Sequence, residues 1–179
     1  VVWLAVVNYL WVSYHFAAQH FGVLSLYRAR AGRAPDPTTR RLDRCFALVV
    51  GGGFVVLADA LSGSIAFQER WIDPLLGAAG AEALSRTVSD GGIALTVILT
   101  ALMLGVELRS PRPSLPRMAY VLGVAAMVLL AFLARDPFLF IVLWSVQHWS
   151  VAMGLASLVA SGGNQVAATR WQRLLAPIN

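Results

Sequence analysis

Long apolar runs separated by short polar segments dominate this chain. A helix needs roughly 20 residues to cross a hydrocarbon core about 30 Å thick. Runs of about this length predict five membrane spans, at approximately 3–27, 46–67, 91–108, 118–133 and 138–161. The segment 74–86 is rich in Ala and Leu and predicts a short helix on the outer membrane surface. We therefore expect an all-α, polytopic transmembrane helix bundle that forms one domain over residues 1–179.

Composition agrees with a membrane protein. Hydrophobic residues make up 58% of the chain and charged residues only 13%, well outside the range of soluble domains. The loop from Arg28 to Arg44 contains six arginines and two aspartates. Because cytoplasmic loops are enriched in positive charge, this loop is predicted to be cytoplasmic.

The other loops extend this topology. Residues 68–90 carry two arginines against four acidic residues and are predicted to face outward. Three arginines at positions 109, 112 and 117, and two more at 170 and 173, favour the cytoplasm. The expected topology is N-terminus out and C-terminus in, in a bacterial-type inner membrane.

Neither nucleic-acid binding nor a signal peptide is expected. The net charge of +5 is spread over loops between spans, whereas a nucleic-acid-binding protein needs a basic face on a soluble module. No charged segment or cleavage site precedes the first apolar run, so no signal peptide is predicted.

The chain contains three histidines, His15, His20 and His148, and all lie in predicted spans. The last two belong to a doubled Gln-His-aromatic triplet, at 19–21 and 147–149. Ionisable side chains at membrane depth are costly, so they indicate a functional site, usually one facing the bundle interior.

Helix geometry pairs His15 with His148. His15 lies 13 residues before Arg28 and His148 lies 13 residues before Ser161, so each is about 20 Å from the cytoplasmic side at 1.5 Å per residue. Each also follows a tryptophan by four residues, Trp11 and Trp144 respectively, which puts both on one helix face. His20 lies about 8 Å nearer the cytoplasm and about 140° around the helix from His15.

This arrangement suggests a cofactor site. Imidazole commonly ligates iron, copper and zinc, and two histidines on facing helices can bind haem axially. We expect His15 and His148 to ligate haem or a non-haem metal, with iron as the first choice and His20 as a further ligand or a proton relay. Trp11 and Trp144 would lie beside the cofactor. Four polar residues are predicted to support these histidines by hydrogen bonds: Gln19, Gln147, Asn8 and Ser145.

Asp59 is a second candidate proton relay. It lies in the second predicted span beyond the glycine run 51–53, where a carboxylate needs a partner unless it reaches water. His15 or His148 would be that partner, and a position near the wet outer end of the span is the alternative. The glycines themselves are expected to allow close helix packing.

These observations leave several functions open. The first is a metal- or haem-dependent membrane oxidoreductase, or its ligand-bearing subunit, acting on a lipophilic substrate or quinone. The second is a non-catalytic cofactor-binding, pigment-binding or scaffold subunit of a larger membrane complex. The third is a small proton-coupled transporter. Histidines that only hydrogen-bond between helices would be structural instead.

Overall fold

A computed structural model describes residues 2–32, 36–134 and 137–162 of the chain. The chain divides into two compact units, Val1–Ile141 and Val142–Asn179, and each is described by itself. The described residues are helical and contain no strand, so the predicted all-α class is confirmed for this part of the chain.

The helices follow one another with short connections. The described elements are α1 (Val2–Arg30), α2 (Pro37–Phe46), a first π-helical segment (Ala47–Gly51), α3 (Phe54–Ser62), the one-turn α4 (Ile65–Phe67), a second π-helical segment (Gln68–Ile72), α5 (Asp73–Leu108), α6 (Leu115–Ala134) and α7 (Pro137–Gly162).

Three stretches within the described residues are long and apolar enough to cross a membrane. They are Pro37–Ser62, Gln68–Leu108 and Leu115–Ala134, with mean hydropathies of 2.0, 2.0 and 2.1. The predicted first and fifth spans coincide with helices α1 and α7. That these two helices also cross the membrane stays a prediction.

The predicted outer surface helix and third span are not separated by a turn. We expected a helix over residues 74–86 and a separate span from Gly91, but α5 continues as a helix through residues 87–92, and its kink lies earlier, at Gly77, where φ is +71°. The polar and glycine residues at 87–92 do not form a turn. Gly92 instead permits close packing, because a Cβ there would lie 2.6 Å from the Phe132 ring of α6.

The second predicted span is interrupted at its glycine run. The π-helical turn ends at Gly51, and Gly53 takes a left-handed conformation with φ of +70° before α3 begins. The expectation that these glycines allow close packing is confirmed. A Cβ at Gly51 would lie 2.7 Å from the His20 ring, and one at Gly52 would lie 2.8 Å from the Ser13 carbonyl oxygen.

The apolar core of the first unit lies where α1, the first π-helical segment, α5 and α6 meet. Its fully buried side chains include Leu24, Phe46, Val50, Val124 and Val128. Two polar centres adjoin this core, and both involve α1 and α6.

Candidate functional site

The first polar centre is a hydrogen-bonded pair formed by His20 of α1 and Tyr120 of α6. The Nδ1 atom of His20 lies 2.7 Å from the Tyr120 hydroxyl, and the ring centroids are 5.7 Å apart. The His20 side chain is only 2% exposed. Tyr120 therefore holds the imidazole in one orientation, and the tautomer decides which group donates the proton.

The local sequence explains why His20 is inside. Ser13, Ala17, His20 and Leu24 recur at intervals of three or four residues, as one face of a helix does, and all four are buried. This face lies against the first π-helical segment, where Gly51 and Gly52 provide the space. The His20 ring fits there because position 51 has no side chain.

The second polar centre is a group of four charged side chains that we call the charged cluster: Arg28, Asp43, Glu107 and Arg117. None is more than 6% exposed. Arg28 and Arg117 both pair with Asp43, and Arg117 also pairs with Glu107. The Glu107 Oε1 atom accepts a further hydrogen bond of 2.5 Å from the Ser114 backbone N–H.

The charged cluster joins four helices at one end of the first unit. Arg28 is in the last turn of α1, Asp43 lies in α2, Glu107 is near the end of α5, and Arg117 is in the first turn of α6. Two positive and two negative groups compensate one another. Buried charges are tolerated when they are paired and hydrogen-bonded in this way.

The charged cluster was not predicted from the sequence. The arginines were interpreted as topology signals, and burial of the acidic residues near them was not expected. A usable signal was present, because loops 28–44 and 109–117 were both predicted to be cytoplasmic. Asp43 and Glu107 lie at the edges of these loops and were available as partners for buried arginines.

The two histidines of α1 differ in burial, which was not expected from the sequence. His20 is buried, whereas His15 is exposed and contacts its neighbour Phe16 edge-on, with centroids 5.9 Å apart. Trp11 is 67% exposed and Asn8 is exposed as well. The polar face around His15 is therefore not the buried face of α1.

The other residues predicted for the site lie on α1, α3 and α7. Gln19 is half-buried one residue before His20, and Asp59 is half-buried in α3. On α7, Trp144, Ser145, Gln147 and His148 follow one another within about one turn, and the His148 ring meets Trp149 edge-on at 5.6 Å. His15 and His148 belong to different units, so their pairing stays a prediction.

Among the described residues, no group of three or more His, Cys, Asp or Glu side chains is placed to hold a metal ion. The non-haem metal site with several ligands is therefore unsupported in this part of the chain. Axial ligation of haem needs only two histidines, and that hypothesis stays a prediction.

Comparisons of this chain with protein-family models, with curated proteins and with solved structures find no match. Its function has to be argued from its own side chains.

Proposed function

We propose that this chain is a multi-pass protein of a bacterial-type plasma membrane, with five spans, the N-terminus outside and the C-terminus in the cytoplasm. The arginine distribution supports this orientation. The charged cluster adds support, since it brings residues near the ends of α1, α2 and α5 and near the start of α6 together. Both arginine-rich connections then face the same compartment.

Cysteine labelling tests this topology. Cys45 is the single cysteine of the chain, so Cys45→Ser gives a background without thiols. In that background, a membrane-impermeant maleimide applied to spheroplasts is expected to label Glu82→Cys but not Thr38→Cys or Arg112→Cys. After permeabilisation all three label. Labelling of Thr38→Cys from outside contradicts the proposed orientation.

The functional centre that we propose is the His20–Tyr120 pair. The observation that carries it is the 2.7 Å contact between Nδ1 and the hydroxyl at a side chain only 2% exposed. Imidazole is the side chain whose charge changes most readily near neutral pH. A histidine held by a phenol can accept or release a proton without exposing a permanent charge to lipid.

The activity that this centre fits best is that of a membrane oxidoreductase, or its ligand-bearing subunit, acting on a lipophilic substrate or a quinone. Such reactions require a positioned proton donor or acceptor, which is the role that we propose for His20. Where haem or a metal is bound, Tyr120 would be the partner that orients a ligating histidine. His15 and His148 are the further candidate ligands, and Asp59 is a further proton relay.

The absorption spectrum and elemental content of the purified protein test the cofactor part of this proposal. A Soret band, or stoichiometric iron, that disappears in His20→Ala supports ligation at this centre. Parallel His15→Ala and His148→Ala variants identify the other ligands. If all three variants keep the full cofactor content of the wild type, none of these histidines is a required ligand.

A second candidate function is proton-coupled transport. Polar groups continue from His20 toward the charged cluster: Tyr27 lies beside Arg28, its ring is 5.9 Å from that of Tyr120, and Tyr120 is one turn beyond Arg117. This arrangement favours a proton path between the pair and the helix ends. Proton uptake by proteoliposomes under an imposed gradient, abolished in His20→Ala and retained in His15→Ala, would support this function.

A further inference from the structure

A shallow groove runs along one face of α5, and none of its lining residues belongs to the His20–Tyr120 pair or to the charged cluster. Its volume is about 310 Å³, and its lining residues are Ile98, Ala101, Leu102, Gly105, Val106 and Arg109. Ile98 and Leu102 are half exposed, at 54% and 50%. The groove is apolar along its length and has one charged side chain, Arg109, at one end.

The length of the groove matches one leaflet of a bilayer. Ile98 and Arg109 are 11 residues apart, which is roughly 16 Å at 1.5 Å per residue. Half of a hydrocarbon core about 30 Å thick is about 15 Å. When Arg109 lies at the headgroup level, Ile98 therefore lies near the bilayer midplane.

Gly105 shapes the lower part of this groove. It lies one turn before Arg109, and no atom outside the local helix lies within 4 Å of the position that a Cβ would take there. The missing side chain leaves a notch on the helix surface. A larger residue would fill the notch without striking the rest of the protein.

The charge around Arg109 selects the kind of headgroup. Glu107, the acidic residue nearest Arg109 in sequence, is buried in the charged cluster together with Asp43, and both are neutralised by arginines. The exposed carboxylate of Asp36 accepts two hydrogen bonds from Thr39. Apart from Asp36, the exposed charged side chains of the described residues in segments 28–46 and 107–117 are all arginines, at positions 30, 40, 41, 44, 109 and 112.

We infer that this groove binds one phospholipid with an anionic headgroup. One acyl chain lies along Ile98, Leu102 and the Gly105 notch, and the headgroup phosphate pairs with Arg109. Guanidinium groups bind phosphate oxygens with two parallel hydrogen bonds, and basic residues at this level attract anionic lipid. The inference rests on membrane insertion of α5 and does not depend on the histidine centre.

Native mass spectrometry of the purified protein tests the site. The protein is delipidated in detergent and exposed to equal amounts of phosphatidylglycerol and phosphatidylcholine. We expect one retained phosphatidylglycerol in preference to phosphatidylcholine. Arg109→Gln should lower that preference about five-fold, the equivalent of about 1 kcal/mol per basic residue. Gly105→Leu should lower retention of both lipids by filling the notch.

Matched controls make the result specific. Arg86→Gln removes an exposed arginine of α5 that lies outside the groove, and Gly123→Leu enlarges a glycine of α6 that also has no atom within 4 Å of a Cβ. Both should bind lipid as the wild type does. Equal retention of the two lipids, equal losses in the controls, or displacement of the lipid by inorganic phosphate would overturn the inference. So would a dimer that Gly105→Leu dissociates, since a second copy would then occupy the groove.

Discussion

The two polar centres of the first unit use the same helices, α1 and α6, but differ in charge. The charged cluster contains four ionised groups, and every one is paired with an opposite charge. The His20–Tyr120 pair consists of two groups that can be neutral, joined by one hydrogen bond. Removing a charge from the first leaves a buried ion uncompensated, whereas a proton that passes between His20 and Tyr120 leaves the net charge of the pair unchanged.

This difference assigns different tasks to the two centres. The charged cluster ties four helix ends together, and its compensation depends on all four members remaining ionised. The pair lies farther from the end of α1 and its histidine is buried, where an unpaired permanent charge is costly and a neutral group with a hydrogen-bond partner is tolerated. We therefore expect the charged cluster to stabilise the fold and the His20–Tyr120 pair to take part in proton transfer. Substitutions in the two centres should differ in how much stability they remove.

The largest expected effect is that of Asp43→Asn. This change leaves Arg28 and Arg117 without their shared carboxylate, and breaking a buried ion pair costs about 3–5 kcal/mol. Thermal unfolding in detergent should show a large loss of stability. The control is Glu82→Gln, which removes an exposed pair with Arg86 at 3.0 Å and should cost about 0.5 kcal/mol or less. Similar losses in the two variants would mean that the charged cluster does not hold the helix ends together.

A smaller effect is expected from Gly51→Ala. The added Cβ would lie 2.7 Å from Cγ of His20, and overpacking of this kind costs about 1–3 kcal/mol. The comparison is Gly22→Ala on α1, where no atom lies within 4 Å, and which should be neutral or gain up to about 1 kcal/mol of helix propensity. If both variants unfold at the wild-type temperature, the claim that His20 packs tightly against the first π-helical segment is wrong.

Tyr120→Phe should have a still smaller effect on stability. It removes one hydroxyl and its hydrogen bond to His20, a loss of about 0.5–1.5 kcal/mol. Tyr14→Phe changes an exposed tyrosine of the neighbouring helix and should leave the unfolding temperature unchanged. A Tyr120→Phe loss as large as that of Asp43→Asn would remove the distinction between the two centres.

The smallest effect concerns pH and lies outside both centres. Hydrogen bonds from the Thr39 backbone N–H and hydroxyl hold the pKa of the Asp36 carboxyl below its ordinary value of 3.8. Because the folded pKa is the lower one, the stabilisation is present above the ordinary value and is lost as the pH falls through the folded pKa. The protection of the Thr39 amide against hydrogen exchange, relative to the intrinsic rate at each pH, should therefore fall in acid. Asp36→Asn should remove this pH dependence, and a dependence that persists would have another source.

The lengths of the apolar runs, and the helix-breaking residues between them, predicted much of the helical framework. They placed helices close to the bounds of α1, α6 and α7, because a run of about 20 apolar residues leaves few alternatives. The continuity of α5 was not predictable in the same way. Gly91 and Gly92 have the composition of a turn, and only the Phe132 ring on another helix explains a glycine there.

The candidate site was harder to predict, since α1 is apolar nearly all round. Asn8, His15 and Gln19 were predicted to contribute to one site. The face of α1 that packs against the first π-helical segment is instead that of Ser13, Ala17 and His20. That choice depends on the glycines of the first π-helical segment, far along the chain. The partner Tyr120, 100 residues from His20, gave no sequence signal of its own.

The central claim is that Tyr120 controls the proton on His20, and a nitrogen NMR titration of the histidine side chains tests it most directly. In wild-type protein labelled with ¹⁵N-histidine, the ring nitrogens of His20 should report a hydrogen bond at Nδ1. Tyr120→Phe should change both its tautomer signature and its titration midpoint, while leaving the exposed His15 unchanged. Identical His20 spectra and midpoints in the two proteins would contradict the claim.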